Sequence, residues 1–265
     1  MHLKELYKNH GTAARCAAVI LTFLSGISLF SASIAKAEIS DEIQTSPHIA
    51  SHIIGIDPGH QGPNVDMSDL EPLGPGSTEM KAKASTGTQG TFSGLPEYQL
   101  NLDVSLKLQK LLEDRGYETV LTRTDNDTAI SNKERAEYVA DQGAEICVRI
   151  HANGAEASSA AGALTISPSS SNSYVPQLYE ESSELSQHIL DAYCAATGFD
   201  NRGITYADNM TGINWSTIPV TIVEMGFMTN ESDDLKMSDP DFQDTMAAGI
   251  ADGIDNYFAE KDSVH

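Results

Sequence analysis

Two rhythms of apolar and polar positions alternate along this chain. Short apolar runs read as buried strands: His52–Ile56 (HIIGI), Glu118–Arg123 (ETVLTR), Ala144–Ala152 (AEICVRIHA), Gly162–Ser167 and Val220–Met225 (VTIVEM). Between them the spacing widens to three and four residues. Leu100, Val104, Leu108, Leu111 and Leu112 predict a helix that opens at Glu97, with Pro96 at its start and Gly116 closing it. Ser131–Gln142 predicts a second helix, with Ser131 as cap and Glu134 at the capping-box position. Leu178–Thr197 predicts a third, carrying Leu185, Ile189, Leu190 and Tyr193, and Phe242–Tyr257 a last one. Asn201–Ile218 reads mostly as loop with one short strand. From Gln61 to Pro96 the chain is rich in Gly, Pro, Ser and Thr and shows no period. A loop of that length in a compact domain is usually functional or mobile. Strands alternating with helices predict a single α/β domain: a twisted, mostly parallel sheet with helices on both faces.

The first 37 residues follow a different plan. Lys4, Lys8 and Arg15 make a basic start, Cys16 to Ala35 is almost uncharged, and Ala35-Lys36-Ala37 offers a small-x-small cleavage site. This is the three-part signature of a secretory signal peptide. The apolar stretch also has the length of an uncleaved anchor. Residues 38–51 read as a polar linker, and 52–260 as the functional domain. No second apolar stretch approaches the ~20 residues of a spanning helix, so the mature chain is not expected to cross a membrane.

Charge narrows the partners. The formal net charge is −22; without residues 1–37, which hold four basic and one acidic side chain, it becomes −25. Such a surface repels nucleic acid and anionic polymers. Of three cysteines, Cys16 lies in the leader; whether Cys147 and Cys194 pair is left open by the sequence.

Candidate chemistry collects where elements end. His60 follows Asp57-Pro58-Gly59, and Pro-Gly reads as a sharp turn after the first strand. That puts His60 at the carboxyl edge of the sheet, where open α/β folds build their sites. His151, in RIHANG, closes another buried strand, and Glu97 opens the first helix. Glu224 ends VTIVEM, a run otherwise without charge. A buried carboxylate is costly unless paired or functional. Two histidines and a carboxylate form a known ligand set for catalytic zinc, leaving a position for water. The intervals, 37 residues from His60 to Glu97 and 54 more to His151, exclude the local helical HExxH motif. Taken singly, a histidine at a strand end is an ordinary hydrogen-bonding residue, and a glutamate opening a helix serves the macrodipole.

Four motifs in order, DPGHQG, PEYQLNL, RIHANG and VEMGFMTN, resemble the zinc-dependent N-acetylmuramoyl-L-alanine amidases of the amidase-3 type. The similarity runs from about His52 to the last helix. It implies that His60, Glu97 and His151 hold a Zn2+ ion and that Glu224 is the catalytic glutamate. The implied reaction is hydrolysis of the amide between N-acetylmuramic acid and L-alanine in peptidoglycan, by a protein secreted to the cell wall. Two positions depart from the family pattern. Gln61 stands where relatives often have glycine, and Arg149 where many have a small polar residue. Substrate carboxylates call for cations. Arg149 and Arg202 adjoin motifs, Arg123 and Arg135 follow with less support, and a structural ion pair is the competing reading for each. The alternatives are another cell-wall zinc peptidase or a non-catalytic peptidoglycan-binding or activator protein. No recruitment module is visible, so a recruiting or regulatory cell-envelope protein is a further candidate partner.

Overall fold

The computed structural model describes residues 52–263. The leader (1–37) and the linker (38–51) lie outside the described residues. The elements in chain order are β1 (Ile53–Pro58), β2 (Leu70–Pro72), β3 (Met80–Ala82), α1 (Glu97–Asp114), β4 (Glu118–Leu121), α2 (Asn132–Asp141), β5 (Ile146–Asn153) and β6 (Ala163–Ser167). They continue with α3 (Tyr179–Thr197), β7 (Asn201–Tyr206), α4 (Thr211–Asn214), β8 (Val220–Phe227), α5 (Glu231–Met237) and α6 (Pro240–Ser263).

Six strands form one sheet in the order β4-β1-β5-β8-β6-β7. β4, β1, β5 and β8 run parallel, as the α/β alternation predicts. β6 pairs antiparallel with β8, and β7 follows β6 in parallel. The reversal puts the starts of β6 and β7 at the edge where the other four strands finish.

The period-two alternation of each strand divides two cores. Ile54, Ile56, Val148, Ile150, Val223 and Met225 pack with the apolar stripes of α1, α3 and α6 on one face. Leu100, Val104, Leu108 and Leu112 of α1 are fully buried there, and truncating any of the three leucines to alanine should cost roughly 2–5 kcal/mol. Cys147, Val220 and Ile222 point to the other face, with Val139 of α2 and Ile213 of α4. Arg149, His151 and Glu224 share the parity of this second set. Residues that carry charge at the strand ends therefore project from one side of the sheet.

The ends of the predicted helices are held by the expected chemistry. Ser131 accepts from the Glu134 amide and the Glu134 side chain accepts from the Ser131 amide, a complete capping box. Three differences from the sequence reading have local causes. The segment 61–96 is not wholly irregular: β2 and β3 form a hairpin, too short for a period to register. β7 and α4 divide Asn201–Ile218, and α5 occupies a polar stretch, Glu231–Met237, where the apolar positions are too few to signal a helix. Cys147 and Cys194 are both free thiols. Burial pushes Cys147 up to about 12 and Cys194 up to about 11, so neither is a ready nucleophile at neutral pH.

Candidate metal centre and active site

Gly59 leaves β1 with its amide bonded to the Ile150 carbonyl of β5 at 2.9 Å. The turn itself falls one residue later than the Pro-Gly reading places it: His60, not Gly59, adopts the left-handed backbone, with φ of 63°. That conformation costs a non-glycine residue about 1–3 kcal/mol, so its surroundings must enforce it. Gly59 is required for a different reason. A Cβ there would fall 2.2 Å from the His151 ring.

Buried arginines enforce the turn. Arg123 donates to the carbonyls of Pro58 (2.8 Å), Gly59 (3.0 Å) and Tyr98 (2.7 Å). Arg135 donates to Pro58 O and Asp57 Oδ1 (both 2.7 Å), to His60 O (2.9 Å) and to Gln61 Oε1 (2.7 Å). Both side chains are almost fully buried. This corrects their standing as candidate partners for substrate: their donors are taken up inside the protein. It also accounts for Gln61, which is buried against Arg135 and anchors the residue after the turn.

The three predicted ligands converge. His60 Nε2 lies 3.1 Å from Glu97 Oε1, and His151 Nδ1 lies 3.2 Å from the same oxygen. The two rings meet edge to face with centroids 4.8 Å apart. One ligand atom from each of His60, Glu97 and His151 can be chosen so that all lie within 4.8 Å of one another, a group able to hold a metal ion. The His60 ring is set by Ser85, whose carbonyl and hydroxyl both lie 3.1 Å from Nδ1. Glu97 is set by backbone amides: Thr88 N donates to Oε2 at 2.8 Å and Ala152 N to Oε1 at 3.2 Å. The long loop thus supplies two of the residues that orient the group.

Protonation follows from these contacts. Burial opposes charge on Glu97, but hydrogen bonds from His151 and His60 outweigh it and hold the carboxyl far below its ordinary range. Burial pushes His151 down to about 4, against the hydrogen bond to Glu97. A carboxylate and a neutral imidazole are the forms that bind a cation. His151 Nε2 is buried with no hydrogen-bond partner among the described residues, which fits a role as metal ligand.

Glu224 stands opposite His151 in the β5–β8 register. Its Oε2 is also buried without a partner among the described residues. Burial, then the neighbouring charge of Glu97, pushes it up to about 8. It shares a cavity of about 490 Å³ with His60, Glu97 and His151. A second cavity, of about 340 Å³, opens on the other side of the same two histidines.

The sequence matches the N-acetylmuramoyl-L-alanine amidase family over residues 54–256. The chain belongs to this family. It is 32% identical to N-acetylmuramoyl-L-alanine amidase LytC of Bacillus subtilis over 168 residues, 63% of this chain and 32% of that protein. It therefore spans about a third of the length of that relative. It is 26% identical to N-acetylmuramoyl-L-alanine amidase Rv3717 of Mycobacterium tuberculosis over 226 residues, 83% of this chain and 92% of that protein. Among solved structures, the N-acetylmuramoyl-L-alanine amidase from Clostridium difficile 630 superposes with a TM-score of 0.65 at 27% identity, covering 80% of this chain and 98% of that one.

The two arginines expected to meet substrate differ in placement. Arg149 is buried, with Nε 2.9 Å from Asp57 Oδ2 and Nη2 donating to Asn132 Oδ1 at 2.8 Å, yet it borders the second cavity. Arg202, on the edge strand β7, donates to the Ala161 carbonyl and lies over the Phe227 ring, and it lines neither cavity. Sequence reading missed Ser85, Thr88 and Asn101. Asn101 Nδ2 donates to Gly59 O at 3.2 Å and to Glu97 Oε1 at 3.3 Å. Its position one helical turn after Glu97 was the available signal.

Proposed function

We propose that this chain is a zinc-dependent hydrolase that cleaves the amide between N-acetylmuramic acid and L-alanine in peptidoglycan. The observation that carries the reading is Glu224, half-buried, whose Oε2 is buried without a hydrogen-bond partner among the described residues beside a convergent His60, Glu97 and His151. His60, Glu97 and His151 would hold the ion. Two imidazoles and one carboxylate suit zinc and leave room for water and a substrate carbonyl. When bound, zinc lowers the pKa of water to near ~7 and polarises a carbonyl oxygen. Glu224 takes the proton from the attacking water and returns it to the departing alanine nitrogen. A new C–O bond forms as the C–N bond breaks, and the products are a muramic acid carboxylate and a free peptide amine. Glu97 stays ionised, held by the Thr88 and Ala152 amides, and so remains a ligand rather than a proton carrier.

The place of action follows from the substrate. Peptidoglycan lies outside the cytoplasm, and the leader sequence supports export. No helix among the described residues is long and apolar enough to cross a membrane. An acidic surface does not adhere to anionic wall polymers by charge, which supports recruitment by a cell-envelope protein.

Glu224→Ala should keep stoichiometric zinc and lose turnover on purified muropeptides by ~10²–10⁴. His60→Ala should lose the zinc itself. Metal analysis with mass spectrometry of digested wall separates the two. Release of free L-alanine amines from intact stem peptides marks an amidase; cleavage within the stem peptide would instead mark a peptidase.

A further inference from the structure

The two cavities that meet at His60 and His151 differ in charge. The one on the Glu224 side is lined by Glu97, Glu156 and Glu224 and by no lysine or arginine. The one on the opposite side is lined by Lys81 and Arg149 and by no aspartate or glutamate. In a chain of formal charge −22, a cationic hollow against the reactive group requires an explanation.

Arg149 is built into this hollow. Its Nε faces Asp57 and its Nη2 donates to Asn132, which is itself pinned by Nδ2 to the Lys83 carbonyl at 2.9 Å. The remaining nitrogen, Nη1, meets no acceptor among the described residues. It lies against Gly212 of α4, where an added Cβ would fall 1.0 Å away. Glycine at 212 therefore makes the space that the guanidinium occupies. Asp57 does not neutralise this arginine alone, because it also pairs with Arg135. The buried group of Asp57, Arg135 and Arg149 keeps a net positive charge next to the cavity. The volume, about 340 Å³, is within the range of small-ligand sites.

We propose that this cavity receives a carboxylate of the stem peptide, with Arg149 and Lys81 as its cationic partners, so that the peptide leaves on this side and the sugar lies on the Glu224 side. The proposal rests on the amidase reading for the bond cleaved. It adds the direction in which the substrate lies and the group that is recognised. A free carboxylate supplies the acceptor that Nη1 lacks, and the opposite cavity repels it. A carboxamide at the same place offers an oxygen without the charge.

The test uses two muramoyl peptides that differ only at the second stem residue, with a free carboxylate in one and a carboxamide in the other. The zinc-loaded wild-type protein should cleave the acid with kcat/KM about tenfold or more above the amide, mostly through KM, as expected for a charge-assisted hydrogen bond. Arg149→Lys should keep part of that preference and Arg149→Met should abolish it. Lys81→Met, at a half-buried position on β3 where Lys81 also pairs with Glu79, should reduce it without loss of fold. Equal kcat/KM for both substrates with the wild-type protein overturns the subsite and leaves the amidase reading standing. If neither substrate is cleaved, the amidase reading fails. The subsite is then judged by calorimetry with the two sugar-free peptides: tighter binding of the acid sustains it and equal binding overturns it.

Discussion

Glu224 has to change protonation state to serve as a base. Burial and the Glu97 charge push it up to about 8, so without a metal it is mostly protonated at pH 7. A cation beside it favours the charged form and lowers that pKa. Metal entry at pH 7 should therefore expel a proton from Glu224. Calorimetry of zinc binding in buffers of differing ionisation enthalpy should find up to about one proton more released by wild type than by Glu224→Gln. The placement of such a residue was legible from the sequence because a carboxylate ending an uncharged strand is conspicuous. Gln61 was not legible. Its meaning depends on Arg135, which lies 74 residues away and reaches it only through the fold.

Each of His60, Glu97 and His151 is delivered by the end of an element. β1 and β5 finish side by side, and α1 starts with Glu97 turned inward rather than serving the helix dipole alone. These placements followed from apolar periodicity, and so the strands, α1 and the capping box of α2 were readable in advance. The β2–β3 hairpin, α5 and the reversal at β6 were not. The hairpin is three residues per strand, and strand direction is set by crossovers that a periodicity does not encode. The close approach of β1 to His151 gives a prediction. Gly59→Ala would place a methyl carbon 2.2 Å from the imidazole, so the ring must swing away. The variant should fold, with a melting temperature lowered but a cooperative transition kept, and should bind zinc at least tenfold more weakly although no ligand is altered. The tenfold corresponds to about 1.4 kcal/mol of lost ligation. Competition with a chromophoric chelator measures it.

The domain balances its charge in two places. Its surface is strongly acidic, while Arg123, Arg135 and Arg149 are buried around one buried aspartate, Asp57. Burial opposes ionisation of Asp57, but Arg149 and Arg135 outweigh it and hold the carboxyl well below the ordinary range. A depressed carboxylate pKa contributes stability that is complete above the unfolded value of about 4 and is lost as pH falls toward the folded value. Urea unfolding should show stability falling steeply below about pH 4. Asp57→Asn should remove about 3–5 kcal/mol at neutral pH, because it strands buried guanidinium groups, and should flatten that acid limb.

The arginine clamp on residues 58–60 has a consequence for how the enzyme is switched. Its donors grip main-chain carbonyls of Pro58, Gly59 and His60, and none of these bonds involves a side-chain atom of His60, Glu97 or His151. The socket therefore stands before any ion arrives, unlike zinc fingers, whose folding waits for the metal. Stripping with a chelator should abolish turnover while leaving far-ultraviolet dichroism and a cooperative melt in place, and returning zinc should restore activity within the mixing time. Zinc supply would then set how much of a standing protein pool is active, with no need to make or degrade a single chain.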